Sequence, residues 1–378
     1  MALPFMQVAA WLYLIFGRGM FWLMRERDDH ASPTNVGAPS VVAIVPARDE
    51  ADVIAWAITS LLAQDYAGAF RIVLVDDGSS DGTADAARRA ALLSGRSERL
   101  EIIAGSERPA GWTGKLWAMK QGLAHAEGNT SSDYVLFTDA DIAHATDNVR
   151  RLVANAEQGQ AVLVSLMAKL RCHTAAEKLL IPAFVFFFAM VFPFGWVNDP
   201  AKKTAAAAGG CMLARREALN SAGGLEVIAS AIIDDCALAR ILKPKGPIWL
   251  ALSERVESLR SYGNIGEIGR MVARSAYAQL CYSPLLLCGT VAGMTLLYAM
   301  PVLLVVFAHG LPRIAGALAW LVMALSFLPV LRFYRLSPLW GFALPVVGAL
   351  YAAFTLRSAV EHWRGRGGMW KGRPQAMA

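Results

Sequence analysis

The segment Tyr134-Val-Leu-Phe-Thr-Asp-Ala-Asp141 predicts a buried strand that ends in an acidic pair. Its first four residues are apolar, which is typical of a buried strand in a parallel sheet. The run ends in Asp139 and Asp141, two carboxylates separated by one residue. Ligands of open α/β sheets bind at the carboxyl ends of the strands, and Mg²⁺ takes carboxylate oxygens together with substrate phosphates. The pair is therefore a candidate clamp for a metal that holds a diphosphate, although such pairs also cap helices and form turns.

Strands and helices alternate on both sides of this stretch. Apolar runs predict further strands at 41–46, 71–75, 100–103 and 248–252. Helices are predicted over 51–64, from about 84, from the 111–115 loop to about 126, and up to about 242. This β-α-β-α order predicts an α/β fold with a mostly parallel sheet and right-handed crossovers. Because the sequence contains neither GxGxxG nor GxxxxGK[ST], it indicates neither a dinucleotide-binding Rossmann unit nor a P-loop.

The composition is too apolar for an ordinary soluble enzyme. Of 378 residues, 56% are hydrophobic and 17% are charged, and the mean hydropathy is +0.40. The apolar residues are concentrated at the two ends, which predicts a soluble domain between membrane segments. The net charge is +6, with arginines beside the apolar segments. That distribution favours anionic lipid headgroups as partners over nucleic acid.

Cysteine and histidine residues do not form a recognisable metal or disulfide pattern. The five cysteines are scattered without a CxxC pair, which argues for a reducing compartment. The six histidines are also scattered, without an HExxH motif. His144 lies three residues after Asp141, and we expect a solvated turn histidine there rather than a metal ligand.

The N-terminal residues predict how the chain is anchored. We interpret residues 1–27 as an uncleaved membrane anchor, because no small-residue cleavage site follows the apolar run. Arg25 and Arg27 then place the next domain on the cytoplasmic side of the cell (inner) membrane. Residues 28–40 are a polar linker.

Three C-terminal apolar segments, 285–308, 313–331 and 338–356, have the length of spanning helices. Three spans after a cytoplasmic domain would place the C-terminal tail outside. The basic residues of the tail favour the cytoplasm instead; they are Arg357, Arg364, Arg366, Lys371 and Arg373. Either one segment is re-entrant, with 338–356 and its Pro345 as first candidate, or the charge rule fails here.

Two further segments predict helices at the membrane surface. The apolar segment 179–197 is long enough to span a bilayer. A span there would separate Asp139 and Asp141 from any later catalytic acid, and Pro182 and Pro193 disfavour one straight helix. We therefore expect an interfacial or acceptor-groove helix. The amphipathic pattern at 264–282 likewise predicts a helix lying on the membrane.

Other strand ends carry further candidates for chemistry. Asp76 and Asp77, on a Gly-Ser-rich turn, could accept hydrogen bonds from a base or ribose, although a plain turn with a helix cap has the same sequence. Lys115 lies on a glycine-bounded loop at the start of a helix, where its charge and the free N–H groups would suit a bound phosphate. The alternative is a solvated lysine without a ligand. Asp235 heads a helix and could serve as general base toward an acceptor hydroxyl. The alternative is a helix N-cap, for which Asp234 is an equal candidate.

Five segments together resemble family 2 glycosyltransferases of the GT-A fold over roughly residues 41–280. They are Pro46-Ala-Arg-Asp-Glu50, Asp76-Asp-Gly-Ser-Ser-Asp-Gly-Thr83, Asp139-Ala-Asp141, Gly209-Gly-Cys-Met-Leu-Ala-Arg-Arg216 and Ile233-Asp-Asp235. The loop Gly111-Trp-Thr-Gly-Lys-Leu116 and the flanking membrane segments resemble a narrower group, the hopanoid-biosynthesis-associated membrane glycosyltransferases. The tail segment Trp370-Lys-Gly-Arg373 also recurs in such enzymes. The QxxRW motif of processive synthases is absent, which favours the transfer of one sugar per acceptor.

The resemblance implies a domain organisation. Residues 41–260 would form the GT-A domain, and 261–283 an amphipathic interface helix. Residues 284–356 would form a C-terminal transmembrane region, followed by a basic tail at 357–378. Together with the anchor at 1–27, the chain would be a multi-pass membrane protein.

The resemblance also implies roles for individual residues. The nucleotide-sugar contacts would be Arg48, Glu50, Asp76, Asp77, Lys115, Asp139, Gly209 and Gly210. Asp141 would be the principal ligand of a divalent metal, Mg²⁺ or Mn²⁺, with Asp139 reaching the ribose or a metal-bound water. Asp235 would be the catalytic base, since Asp234-Asp235 replaces the usual Glu-Asp of the family and keeps the second acid.

The leading hypothesis is a membrane-bound inverting glycosyltransferase that moves a sugar from a nucleotide-diphosphate donor to a lipid alcohol, with a hopanoid as one candidate. A polyprenyl-phosphate glycosyltransferase is the runner-up, because an anionic acceptor needs no base. The residues also leave open a nucleotidyltransferase and a non-catalytic sugar-nucleotide-binding membrane protein.

Overall fold

The structure is a computed structural model that describes residues 3–28, 37–129, 132–370 and 373–374. The linker positions 29–36 and Lys371 of the tail lie outside the described residues. The chain divides into two units. The first, called the sheet unit, comprises Glu26–Leu170, Trp196–Arg260 and Met369–Ala378. The second, called the helical unit, comprises Met1–Arg25, Arg171–Gly195 and Ser261–Gly368.

The sheet unit is built on an eight-stranded sheet within the described residues. The strands are β1 (Val41–Ala47), β2 (Phe70–Asp76), β3 (Leu100–Ala104), β4 (Tyr134–Thr138), β5 (Ile142–His144), β6 (Leu163–Lys169), β7 (Cys211–Arg215) and β8 (Ile248–Ser258). Their order across the sheet is β3-β2-β1-β4-β7-β6-β8-β5. The pairs β2–β3, β1–β2, β1–β4 and β6–β8 are parallel. β7 is antiparallel to β4 and β6, and β5 is antiparallel to β8, so the predicted mostly parallel sheet is confirmed.

Burial explains why these residues form strands. Every residue of β1 and β4 is buried, as expected for strands covered on both faces. The helices of the unit are Ile54–Leu62, Thr83–Ser94, Gly114–Asn129, Asn148–Gln158, Arg216–Ser221 and Asp234–Leu242. Short 3₁₀ turns lie at Ser97–Arg99, Leu225–Ile228 and Lys243–Lys245. The strand predicted at 248–252 extends to Ser258 in the structure. The prediction stopped early because the second half of the strand alternates between polar and buried residues instead of continuing the apolar run.

The helical unit contains most of the apolar helices. Its α-helices are Leu3–Leu12, Ala175–Val191, Ile265–Ala273, Ala276–Gln279, Pro284–Met294, Met300–Phe307, Leu311–Phe333 and Leu344–Trp363. π-helical turns occur at Tyr13–Gly17 and Thr295–Ala299, and 3₁₀ turns at Phe21–Leu23 and Pro338–Ala343. A two-stranded ribbon, Met369–Trp370 with Arg373–Pro374, belongs to the sheet unit.

Three helical stretches have the length and apolar composition to cross a membrane. Among the described residues they are Pro284–Phe307, Leu311–Phe333 and Pro338–Trp363. The N-terminal apolar helix, Phe5–Gly17, is shorter. These bounds agree with the three apolar segments that the sequence predicts near the C-terminus.

The two predicted surface helices are both interrupted. The segment 179–197 forms the helix Ala175–Val191, which ends two residues before Pro193 and is followed by the short helix Phe194–Asn198. Its N-terminus is fixed by a capping box between Thr174 and Glu177. The segment 264–282 forms Ile265–Ala273 and Ala276–Gln279, so the predicted amphipathic helix is split into two.

Candidate active site

The carboxyl ends of β1, β2 and β4 bring the first group of predicted residues to one edge of the sheet. Arg48 follows β1, Asp76 is the last residue of β2, and Asp139 follows β4 directly. Because these three strands are neighbours and parallel, their ends meet at the same edge. This edge is where open α/β sheets bind ligands.

The loops after β1 and β2 are joined by hydrogen bonds. Arg48 donates to the carbonyl oxygen of Asp77, and its Nη1 lies 3.7 Å from the Asp77 Oδ2. Glu50 is buried, and its backbone N–H donates to Thr83 Oγ1 at 2.9 Å. Asp76 Oδ1 accepts from the backbone N–H of Ser79 at 3.0 Å. The structure therefore places Arg48, Glu50, Asp76 and Asp77 at two strand ends whose loops are held together by hydrogen bonds; these are called the two interlocked loops below.

Lys115 is held between two carboxylates. Its Nζ lies 2.7 Å from Asp139 Oδ1 and 2.9 Å from Asp234 Oδ2. Burial by itself would lower the pKa of the amine, but the two carboxylates outweigh it and raise the pKa of Lys115. The alternative of a solvated lysine is therefore wrong. The charge of Lys115 is already compensated within the chain, by one residue from the predicted metal clamp and one from the predicted base motif.

Asp139 shares this electrostatic environment. Burial raises the pKa of its carboxyl, and the charge of Lys115 opposes that effect. The neighbouring carboxylates of Asp141 and Asp234 raise the pKa further, because they disfavour a second negative charge. A cation at this position would relieve the repulsion.

Asp141 is paired with a residue that the sequence did not indicate, Arg260. The Nε of Arg260 donates to Asp141 Oδ2 at 2.8 Å. Its Nη2 donates to both carboxylate oxygens of Glu50, to Oε1 at 2.7 Å and to Oε2 at 3.0 Å. The backbone N–H of Leu259 also donates to the carbonyl oxygen of Asp141 at 2.8 Å. Arg260 thus bridges the predicted metal ligand and a predicted nucleotide contact. The contact with Arg260 could have been suspected from the residues after 252, where polar and buried positions alternate and β8 continues toward Asp141.

Asp235 is oriented by two backbone N–H groups. Gly209 donates to its Oδ2 at 2.9 Å, and Cys236 donates to its Oδ1 at 2.7 Å. The N-cap position of this helix is Ile233, so the alternative in which Asp234 or Asp235 caps it is wrong. Burial, assisted by the charge of Asp234 and opposed by Lys115, raises the pKa of Asp235 to about 6. A carboxylate with such a pKa is suited to general-base chemistry near neutral pH.

The two glycines of the Gly209-Gly210 turn lie against the site. A Cβ on Gly209 would lie 3.2 Å from Lys115 Nζ and 3.4 Å from Asp235 Oδ2. A Cβ on Gly210 would lie 3.1 Å from Ile142 Cδ1. The turn therefore brings backbone close to the charged cluster where a side chain would crowd it.

His144 is buried, so the predicted solvated turn histidine is wrong. Its Nε2 lies 2.9 Å from Thr138 Oγ1, and its Nδ1 lies 2.9 Å from the Asn148 side-chain amide. Burial lowers the pKa of the imidazole to about 4, which keeps it neutral at physiological pH. The sequence did not show this, because β5 has only three residues and its partner β8 lies more than a hundred residues further along the chain.

The carboxylates of Asp139 and Asp141 fit a hard divalent cation in their chemistry. Among the described residues, no cluster of three or more histidine, cysteine, aspartate or glutamate side chains is arranged to hold a metal ion. The carboxylates that the described residues offer such an ion are the pair Asp139 and Asp141. That composition suits Mg²⁺ or Mn²⁺ bound together with substrate phosphates, rather than a closed structural site.

Comparisons with known proteins find one family match and several solved structures with similar folds. Residues 42–223 match the model of glycosyl transferase family 2. The whole chain is similar to a mannosyltransferase from Pyrobaculum calidifontis, solved in complex with GDP-Man and Mn²⁺. The TM-score is 0.58 at 20% sequence identity, covering 97% of this chain and 99% of that one. A glucosyl-3-phosphoglycerate synthase from Mycobacterium tuberculosis is similar with a TM-score of 0.40 at 22% identity, over 64% of this chain and 79% of that one.

The first of these likenesses shows the fold, a mostly parallel GT-A sheet in a chain whose C-terminal region consists of long apolar helices. The family match covers the segment that carries Arg48, Asp77, Lys115, Asp141 and Gly209. Residues 42–223 therefore match a family 2 glycosyltransferase domain, and on that match the protein is a glycosyltransferase.

Proposed function

We propose that the protein is a membrane-bound inverting glycosyltransferase that moves one sugar from a nucleoside-diphosphate donor to the hydroxyl group of a lipid. The observation that carries this proposal is the setting of Asp235. Its carboxylate is held by the N–H groups of Gly209 and Cys236, beside Lys115, and its pKa is raised to about 6. Such a carboxylate is ionised at neutral pH and retains the basicity that proton removal requires.

The donor end of the site would use the two interlocked loops. Arg48, Glu50, Asp76 and Asp77 would bind the nucleotide, and Lys115 would lie toward its diphosphate. The similar mannosyltransferase was solved with a nucleotide sugar and Mn²⁺. We extend both to this chain, with Mg²⁺ or Mn²⁺ held by Asp141 and assisted by Asp139. Such a cation, when bound, offsets the negative charge of the departing diphosphate.

The chemistry of the chain's own residues follows from this arrangement. Asp235 accepts the proton of the acceptor hydroxyl, and the acceptor oxygen forms its bond to the anomeric carbon. The bond between that carbon and the diphosphate oxygen breaks in the same displacement, so the configuration inverts. The N–H of Gly209 keeps the Asp235 carboxylate directed while it takes up the proton. Gly209 and Gly210 would also let the donor sugar approach the backbone.

A lipid acceptor is supported by the helical unit. Its three long apolar helices have the length of membrane spans. The chain would thus be a multi-pass protein of the cell (inner) membrane, with the GT-A domain at 41–260 on the cytoplasmic side and the apolar region at 284–356 in the bilayer. Within this class the resemblance of the 111–116 loop favours a hopanoid acceptor.

A polyprenyl phosphate is the second candidate acceptor. The observation that favours it is the charge of Lys115, which lies close enough to Asp235 to oppose the rise in its pKa. A cation in that position would also suit an acceptor phosphate, which is already anionic and needs no proton removal. Asp235→Asn distinguishes the two, because it should abolish transfer to an alcohol and leave transfer to a phosphate largely intact.

The experiment that tests the proposal is mass spectrometry of lipids from cells that carry the intact gene or the Asp235→Asn variant. We expect a lipid that is heavier by one hexose residue with the intact gene and absent with the variant. Asp52→Asn is the matched control, since Asp52 is an exposed carboxylate on the same unit. Equal amounts of the glycolipid in wild-type and Asp235→Asn cells would overturn the proposal.

A further inference from the structure

A buried chain of hydrogen bonds ends on the Gly209-Gly210 turn. The Asn148 amide lies 2.9 Å from His144 Nδ1, and His144 Nε2 lies 2.9 Å from Thr138 Oγ1. Thr138 Oγ1 then donates to the carbonyl oxygen of Gly210 at 2.8 Å. Thr138, His144 and Asn148 are all buried, with exposed fractions of 2%, 5% and 0%.

The directions of these hydrogen bonds are fixed by the carbonyl at the end of the chain. A carbonyl oxygen only accepts, so the Thr138 hydroxyl must donate its single proton to Gly210. The hydroxyl oxygen is then free to accept from Nε2–H of His144, which leaves Nδ1 to accept from the Asn148 amide. A neutral imidazole with its proton on Nε2 satisfies all three contacts. Burial, which lowers the pKa of His144 to about 4, maintains that neutral form across the working pH range.

The chain of hydrogen bonds reaches the candidate base through one peptide group. Gly210, whose carbonyl is fixed by Thr138, directly follows Gly209, whose N–H holds Asp235 Oδ2 at 2.9 Å. Thr138 is also the residue before Asp139. Together with the β4–β7 pairing, which places Thr138 opposite Cys211, the same hydroxyl ties the end of β4 to the turn that directs Asp235.

From this connection we infer that His144 and Thr138 are positioning residues for sugar transfer, which fix the Gly209-Gly210 turn and thereby the direction of the Asp235 carboxylate. The inference rests on the proposed role of Asp235 as base. It explains why a neutral, fully bonded histidine lies beside the site although its own hydrogen bonds go to Thr138 and Asn148.

The test compares two pairs of variants in the purified full chain. Thr138→Val removes the hydroxyl with almost no change in shape, whereas Thr138→Ser retains it. Valine is well tolerated in strands, so the first variant is expected to fold. In the same way His144→Leu removes the ring nitrogens, whereas His144→Gln retains an amide that can donate to Thr138.

The readouts are kcat for nucleoside-diphosphate release, KM for the donor, and donor affinity by calorimetry with Mn²⁺. Misdirection of a reacting group by about 1 Å lowers turnover by about a hundredfold. We expect kcat of Thr138→Val and His144→Leu to fall by about ten- to a hundredfold, with donor KM and affinity within about twofold of wild type. Thr138→Ser and His144→Gln should recover most of the loss. A purely structural role would lower thermal stability and leave kcat of the folded enzyme unchanged.

Each outcome decides one of the two proposals. This inference would be overturned if kcat were unchanged in both Thr138→Val and His144→Leu. It would also be overturned if Thr138→Ser and His144→Gln lost as much kcat as the variants that lack the hydrogen bond. If Asp235→Asn is inactive in the same assay while these variants retain full kcat, only the positioning role fails. If Asp235→Asn retains activity, the general-base proposal itself fails.

Discussion

The contact between Arg260 and Asp141 leads to a prediction about metal affinity. In the structure the guanidinium Nε donates to Asp141 Oδ2 at 2.8 Å, on the carboxylate that would bind the metal. A metal ion at that oxygen must displace Arg260 and overcome its attraction. Replacing Arg260 by glutamine, which is neutral and shorter, removes the charge-assisted hydrogen bond and a nearby positive charge. We therefore expect Arg260→Gln to bind Mn²⁺ more tightly than wild type.

The size of the effect follows from the exposure of the pair. The Arg260 side chain is 36% exposed and Asp141 is 14% exposed, so the contact is only partly screened by water. Ion pairs in such surroundings contribute about 1 kcal/mol, and hydrogen bonds between charged groups up to about 2 kcal/mol. Relief of that competition corresponds to about five- to thirtyfold tighter binding of Mn²⁺.

The assay is titration calorimetry of the detergent-purified chain with MnCl₂ in the absence of donor. Arg89→Gln is the matched control, because Arg89 is an exposed arginine of the sheet unit and loses the same charge. We expect the control to bind Mn²⁺ within about twofold of wild type. Unchanged or weaker binding in Arg260→Gln would refute the reasoning, and would show that Arg260 supports the metal site rather than competing for it.

Four further predictions concern the charged cluster. Because Asp235 must be ionised to act as base, kcat should fall as pH is lowered through about 6. The folded pKa of Asp235 lies above its ordinary value of 3.8, so its ionisation destabilises the fold as pH rises from about 4 to 6. The unfolding free energy of wild type relative to Asp235→Asn should accordingly fall by on the order of 3 kcal/mol between pH 4 and pH 8. A difference between the two proteins that does not change with pH would contradict the raised pKa. Lys115→Met removes the charge that opposes the raised pKa of Asp235, so the acid limb of the pH–kcat profile should move to higher pH; a shift to lower pH would refute that role. Gly209→Ala should lower kcat about tenfold with a change in unfolding free energy below about 1 kcal/mol, since its Cβ would lie 3.4 Å from Asp235 Oδ2. Wild-type kcat in this variant would show that the turn tolerates a side chain.

The sequence predicted those parts of the site that follow buried apolar strands. Asp76 and Asp139 could be placed because β2 and β4 are short apolar runs that end at carboxylates, and parallel strands bring such ends together. The partners of these residues could not be predicted in the same way. Lys115 meets Asp234 across more than a hundred residues, and nothing in the local pattern around either residue indicates the pairing.

Arg260 and His144 illustrate two other limits. Arg260 was missed because β8 continues through a polar stretch to Ser258, where only one face is buried and the apolar run has ended. His144 was misplaced because three residues of β5 carry too little periodicity to show a strand. In both cases the decisive contact is the β5–β8 pairing, which brings Ile142 opposite Ser258. Long-range strand pairing of this kind has no signal in the spacing of a single sequence.

The strongest test of base-assisted sugar transfer by Asp235 is an analysis of the reaction products. The purified full chain, reconstituted in lipid nanodiscs with Mn²⁺, a nucleotide sugar and lipids from the native membrane, would be assayed for both the released nucleotide and the glycolipid. We expect equal amounts of nucleoside diphosphate and singly glycosylated lipid from wild type, and neither product from Asp235→Asn. Release of pyrophosphate, or the same product yield from Asp235→Asn, would contradict it.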